Sequence, residues 1–323
     1  MLVPGMCALL AVALPALLIR LEIIDAYTAQ ILTLSAVNAI MALSVNMICG
    51  ITGQLSLGQA GFMAIGAYAT ILLSTNAHVP LPLSILAAGI ITSFFGFLIG
   101  FPTLKLEGDY LAIVTLGFGE IIRVVLVNLK RWTGGPNGKQ FPTALTLDPA
   151  LAYTVIVGTL VALIVLVQNF IRSTYGRAIL AVREDEIAAN AAGIDVFKYK
   201  MLGFVVASFV AGIGGALYAP FIGFVKPDQA SFTKSIDYLI FVVLGGMGST
   251  TGSVLAAFVL TYVQEFLRFL QNYRLLIYPV ILIIVMIFRP QGLMGMKEFS
   301  FVRTFDKIAS ILARGKKTEV HNG

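Results

Sequence analysis

A chain of 323 residues with 58% hydrophobic and only 12% charged residues carries about half the charge of an ordinary soluble domain, which excludes a water-soluble globular protein. The net charge of +6 resides mainly between Arg289 and Gly323, where seven Lys and Arg face three Asp and Glu. A basic segment directly after an apolar run follows the positive-inside bias at anionic lipid and argues against nucleic acid as a partner.

Lipid is therefore the solvent, as the mean hydropathy of +0.92 also indicates, and the expected fold is all-α, a polytopic transmembrane helical bundle. Apolar runs suited to about 30 Å of hydrocarbon fall at Leu2 to Ile19, Thr28 to Cys49, Gln59 to Ser74, Leu81 to Phe101 and Leu111 to Leu129. Later runs fall at Leu151 to Ile171, Met201 to Val225, Tyr238 to Phe266 and Leu275 to Phe288. Within the first, the stretch Ala8 to Ile19 has no basic segment before it and no clear cleavage site after it, so it reads as a retained helix. Cys7 and Cys49 lie in apolar runs without partners at metal-ligand or redox spacing. Residues 1–295 thus form one membrane domain with a polar loop at 172–200, and 296–323 form a basic tail.

The basic residues of the 172–200 loop and of the tail place both in the cytoplasm, which requires an even number of crossings between them. Three apolar runs occupy that interval. The run Tyr238 to Phe266 is too long for one span and is interrupted by Gly245-Gly246-Met247-Gly248-Ser249-Thr250-Thr251-Gly252-Ser253, so a hairpin of two shortened helices is expected there. The same counting puts the N-terminus inside and Lys130 to Asp148 outside, with the turn Gly134-Gly135-Pro136-Asn137-Gly138.

Two polar, Gly-rich interruptions, Gly50 to Gly61 and Gly245 to Ser253, break otherwise apolar runs. Backbone freed at such a break is satisfied only by protein, water or solute, so a break marks a wet or buried cavity and a candidate route. Close helix packing through Gly and Ala is the other reading, and both stand at this point. Ala207, Ala211 and Gly215 recur every four residues and form a helix contact face, within the chain or to a second subunit. Glu120 is an acid well inside an apolar run with Arg123 one turn away. It is read either as one half of an ion pair that stabilises the bundle or as a group at the route. Catalytic and metal-binding constellations are absent: His78 and His321 have no Cys, Asp or Glu cluster to join, and Gly134 to Lys139 ends in Gln140 where a phosphate loop has Ser or Thr.

The hydrophilic loop Ser173 to Asp195 reads as a short helix with Glu184, Asp185 and Glu186 at its start and Gly193 at its C-terminal cap. Ala188-Ala189 followed by Gly193 resembles the "EAA" coupling loop by which importer permeases engage their ATPases, although Ile187 separates Glu186 from the Ala pair. Further stretches resemble the branched-chain amino-acid permease family. They are Gly53-Gln54-Leu55-Ser56-Leu57-Gly58-Gln59-Ala60-Gly61-Phe62 with Gly66-Ala67-Tyr68, and Gly108-Asp109-Tyr110-Leu111-Ala112 with Thr115 to Arg123. Thr133 to Gly138, the Gly245 to Gly252 turn and Phe288-Arg289-Pro290-Gln291-Gly292 complete the set, which covers roughly residues 28 to 295.

That resemblance implies the membrane-spanning permease subunit of an ABC importer, multi-pass in the bacterial inner membrane with a cytoplasmic C-terminus. It implies branched-chain amino acids as cargo, with urea, amides or other amino acids as the range of its wider relatives. The implied partners are a second permease subunit, two ABC ATPase subunits and a periplasmic substrate-binding protein. This chain would then hold no cofactor, ATP and magnesium being bound by the partner subunits. Arg183, Glu186, Ala188, Ala189 and Gly193 would form a cytoplasmic coupling helix. Gln54, Ser56, Gly58, Thr115, Glu120, Gly245, Gly246 and Gly248 are the candidates for the substrate route. The alternative is an ion-driven secondary transporter with Glu120 as its coupling group.

Overall fold

The computed structural model describes residues 12–106, 108–141 and 148–269, with scattered positions between 277 and 295. Among them the chain is almost wholly helical. Its helices are α1 over 12–20, α2 (Ala26–Val45), α3 (Gln59–Thr75), α4 (Leu81–Thr103), α5 (Asp109–Asn128) and the single turn α6 (Lys130–Thr133). They continue as α7 (Pro149–Arg172), α8 (Thr174–Glu184), α9 (Glu186–Ala191), α10 (Val196–Ile222), α11 (Phe232–Gly245) and α12 (Thr250–Phe266). Six described helices are long and apolar enough to cross a membrane: α2 extended to Ile51, α4, α5, α7, α10, and α12 extended to Phe269. The expected span Leu275 to Phe288 lies largely outside the described residues, as do the N-terminal part of the first run and the tail 296–323.

Polar side chains inside these helices are reconciled with an apolar setting by donating to the carbonyl one turn back. Thr33 does so to Ala29 at 2.7 Å, Thr92 to Ala88 at 2.8 Å and Ser208 to Phe204 at 2.8 Å. Helix starts follow local chemistry. Asp148 accepts from the amides of Ala150 and Leu151 at 3.0 and 3.2 Å, with Pro149 in the first turn of α7.

At the centre lies α10, packed against α3, α4 and α2. The Ala207, Ala211, Gly215 face makes this contact within the chain. Ser44 of α2 donates to the Ala207 carbonyl at 2.8 Å, and a Cβ on Gly215 would stand 1.8 Å from the Met63 carbonyl oxygen of α3. Helix α12 packs along α2, where Asn38 donates to Thr261 at 3.0 Å. In contrast, Ile90, Phe94, Leu98 and Phe101 of α4 stay more than half exposed on one face, an apolar surface suited to lipid or a neighbouring subunit.

Two boundaries differ from the sequence reading. Helix α10 begins at Val196, not Met201, because Asp195 caps it by accepting from the Lys198 amide at 3.0 Å. The hairpin at the second interruption is present, but only α11, of 14 residues, is shortened. Extended to Phe269, its partner α12 reaches 20 residues, about 30 Å. Beyond the distal end of α10 a two-residue antiparallel ladder pairs Lys139 with Val225 and Gln140 with Phe224, and Tyr68 of α3 donates to the Val225 carbonyl at 3.2 Å.

Candidate functional site

The first interruption is a break in the helix ladder. After Val45, α2 loosens into a π-helical turn, Asn46–Ile51, and the chain then runs without helix to Gly58 before α3 starts at Gln59. π-Turns are rare and concentrate at functional sites. Gly53 has φ +70°, a conformation that L side chains avoid. Gly50 is required for a different reason: a Cβ there would lie 2.4 Å from the Gly248 nitrogen of the second interruption. The two breaks touch backbone to backbone. Asn46, buried in the π-turn, ties them further by accepting from the Gly248 amide at 2.8 Å.

The second break closes on itself. Gly246 and Gly248 have φ +108° and +90°, and Ser249 caps α12 by accepting from the Gly252 amide at 3.1 Å. A Cβ on Gly245 would meet the Gly252 carbonyl oxygen at 2.5 Å, so the two helix ends cross without room for a side chain. Gly292, from the closing stretch, presses on the same turn, its Cβ position 2.6 Å from the Gly246 nitrogen. The rest of that stretch is largely outside the described residues.

Arg183 reaches both breaks from the last turn of α8. Its Nη1 donates to the Gly50 carbonyl at the end of the π-turn, its stem lies under Gly53, and Nη1 is 3.4 Å from a Cβ position on Gly248. A guanidinium on the carbonyl end of a helix also meets the negative pole of its dipole.

The 173–195 segment departs from expectation in one respect. It is two helices, α8 and α9, so Glu184 ends the first and does not start the second. The dividing residue is Asp185, whose carboxylate accepts from the amides of Ile187 and Ala188, both at 2.9 Å, and caps α9. Glu186 pairs with Lys200 at the base of α10. Gly193 terminates α9 at φ +82°. Its amide donates to Asn190 at 2.9 Å and the Ile194 amide donates to Ala189 at 3.0 Å, a Schellman cap. Ala189 is buried, whereas Ala188 and Ile187 face outward, the latter 84% exposed. Beside them an open depression of about 400 Å³ is lined by Asn190, Gly193, Ile194 and Phe197 among others.

The predicted route residues separate into three groups. Gln54, Ser56, Gly58 and Thr115 meet at the first break, where Thr115 Oγ1 accepts from the Leu57 amide at 3.1 Å and a Cβ on Gly58 would lie 2.7 Å from the Thr115 carbonyl oxygen. Here both amide atoms of Gln54, the Ser56 hydroxyl and Gln59 Nε2 are buried without a hydrogen-bond partner among the described residues. Gln59 Oε1 accepts from Ser44 at 2.9 Å. Gly245, Gly246 and Gly248 form the second group, against Gly50. Glu120 joins neither. Its Oε2 accepts from Arg123 Nε at 2.7 Å and its Oε1 accepts from the Phe232 amide at the start of α11 at 3.2 Å.

Sequence reasoning missed Asn46, Gln59 and the reach of Arg183. A signal existed for Asn46, an amide in a largely apolar run four residues before a glycine, because such a group must find a partner.

Comparison with known proteins adds the family. Residues 27–288 match the family model described as "Branched-chain amino acid transport system / permease component". The chain is 38% identical to the high-affinity branched-chain amino acid transport system permease protein LivM of Escherichia coli, over 83% of this chain and 70% of that one. It is 27% identical to BraD of Pseudomonas aeruginosa, a permease protein of the same description, over 83% and 94%. The autoinducer 2 import system permease protein LsrC of Klebsiella pneumoniae is 30% identical over 48% of this chain and 47% of its own. No solved structure matches. The matched segment holds α2 to α12, both breaks and Arg183, and the chain belongs to the family of branched-chain amino acid transport permeases, multi-pass membrane proteins.

Proposed function

We propose that this chain is one membrane-spanning subunit of an ATP-driven importer that carries leucine, isoleucine or valine across a bacterial inner membrane, its C-terminal side cytoplasmic. What supports the reading most is the 38% identity to a branched-chain amino acid permease over 83% of this chain, beside a family match over residues 27–288 that takes in both breaks and α8–α9. A second permease subunit, two ATPases that hold ATP and magnesium, and a periplasmic binding protein complete the assembly. The chain itself is the translocating part and not an enzyme.

The geometry supports the following residue roles. Helix α9, rigidly capped at both ends by Asp185 and Gly193, presents Ile187 and Ala188 outward. This face and the neighbouring depression suit docking of an ATPase. Motion of α8–α9 is passed through Arg183 to the Gly50 carbonyl, and thence to both breaks. The first break is the moving part. Its Gln54, Ser56 and Gln59 groups have no partner among the described residues, and because an unsatisfied buried group costs about 1–3 kcal/mol, water or solute is favoured beside them. Thr115 and Gly58 line its other side. The double engagement of Glu120 supports a role in fastening α11 to α5 over one in ion coupling.

The test is co-expression with candidate ATPase and sister-permease subunits and purification through a tag on this chain. Gly193→Arg adds bulk and charge but also strains a φ of +82°, so Ala188→Arg, on an exposed helical position, is compared with it. The wild type is expected to bring the ATPases with it and both variants to lose them while remaining folded. A chain that purifies alone and carries solute down an ion gradient would overturn the reading.

A further inference from the structure

A cavity of about 370 Å³ lies between the first break, the start of α5 and α9, lined among others by Leu55, Leu111, Ile187, Asp109, Glu186 and Lys200. That is the small end of the roughly 300–1,000 Å³ range of ligand pockets. We propose that it is a release-side binding site for a free amino acid with an apolar side chain, and that its occupancy slows further import. The identification of the ligand rests on the transport function proposed above.

The lining selects the ligand class. Lys200 is the cation, its side chain only 12% exposed and ion-paired to Glu186. An ammonium has three donors, so it can keep Glu186 and also bind a carboxylate. Helix α5 opens into the same space from Gly108, at φ +58°, with no side chain capping its free amides. A Cβ on Gly108 would meet nothing within 4 Å among the described residues, which leaves room above the helix start for an anionic group. Asp109 and Glu186 supply the opposite charge for an ammonium, and Leu55, Leu111 and Ile187 supply an apolar wall, of which Ile187 and Leu55 are otherwise exposed at 84% and 39%. A simple anion would face two carboxylates, and a simple cation would face Lys200 and the positive end of a helix. A zwitterion with an apolar side chain satisfies all three surfaces at once.

The position supplies the consequence. The cavity wall contains Gly53 and Leu55 of the first break and Glu186 and Ile187 of α9. A molecule held there bridges the docking helix to the segment that moves, and opposes their separation. Accumulated product thereby reports to the coupling helix directly.

The experiment uses the complete transporter, reconstituted without the periplasmic protein for binding and with it for uptake. Radiolabelled leucine is expected to bind saturably. Leucinamide, which lacks the carboxylate, and 4-methylpentanoate, which lacks the ammonium, are expected to compete at least tenfold less well. Lys200→Met and, at an exposed position, Asp109→Asn should each weaken binding at least tenfold. In vesicles, leucine preloaded on the ATP side should slow initial uptake of wild type at least twofold relative to empty vesicles. Each variant, measured against its own empty vesicles, should lose that slowing. Absence of saturable binding, equal binding by both variants, or native mass spectrometry showing one phosphatidylethanolamine retained by wild type and lost from both variants would overturn the proposal. Uptake into empty vesicles is read separately: its absence would sink the transport function, whereas uptake without feedback would sink only this site.

Discussion

The two breaks look alike in sequence and differ in how their polar groups are met. At the second, Ser249 caps α12, glycines cross without intervening side chains and Gly292 presses on the turn. At the first, a π-turn gives way to an unwound segment with Gln54, Ser56 and Gln59 groups buried and unpartnered. A turn whose donors are satisfied behaves as a pivot. A segment whose donors are not is favoured to move toward whatever supplies them. Joined at Gly50 and Gly248, the pair reads as a fixed point and a moving part, with Arg183 acting where they meet.

The comparison breaks most visibly at Gly50. Gly50→Val places carbon where the Gly248 nitrogen and the Asn46 side chain already stand, and should destabilise the chain by about 3 kcal/mol or more. Thermal unfolding in detergent checks this; a variant as stable as wild type would mean that the breaks do not touch. A middle-sized effect is expected at Gln54. Gln54→Leu removes two unpartnered atoms, so stability should hold or rise by about 1–2 kcal/mol, while leucine uptake should fall about tenfold. A drop in stability would show that the amide has a native partner and that the first break is as closed as the second. The smallest effect is expected at Glu120→Gln. It keeps an acceptor for the Phe232 amide and weakens a half-exposed pair worth about 1 kcal/mol or less. Uptake within twofold of wild type, with unchanged ion dependence, is expected; abolished uptake would restore ion coupling through Glu120.

Much of the fold was legible because lipid imposes a simple rule: long apolar runs become helices. The breaks were legible as glycine and polar residues inside such runs, and the cap at Gly193 as glycine after an Ala-rich turn. The division of α8 from α9 was present in the sequence at Asp185 but read as part of one charged cluster, because a cap differs from a helical acid only in where the helix starts. Other features lay beyond local pattern. The contact face at Ala207, Ala211 and Gly215 is visible as spacing, yet its partners on α2 and α3 are set by packing. Arg183 stands among the coupling candidates by resemblance, and only the fold carries its guanidinium to Gly50, 133 positions away in the chain.

If Arg183 transmits the motion of α8–α9 to the breaks, the transport yield per ATP hydrolysed is the quantity that Arg183→Ala must change. The ATPases should still co-purify and hydrolyse ATP, because α9 and its caps are untouched, while leucine taken up per ATP should fall at least tenfold. A variant whose yield per ATP equals that of wild type would contradict the account and reduce the Arg183 contact to packing.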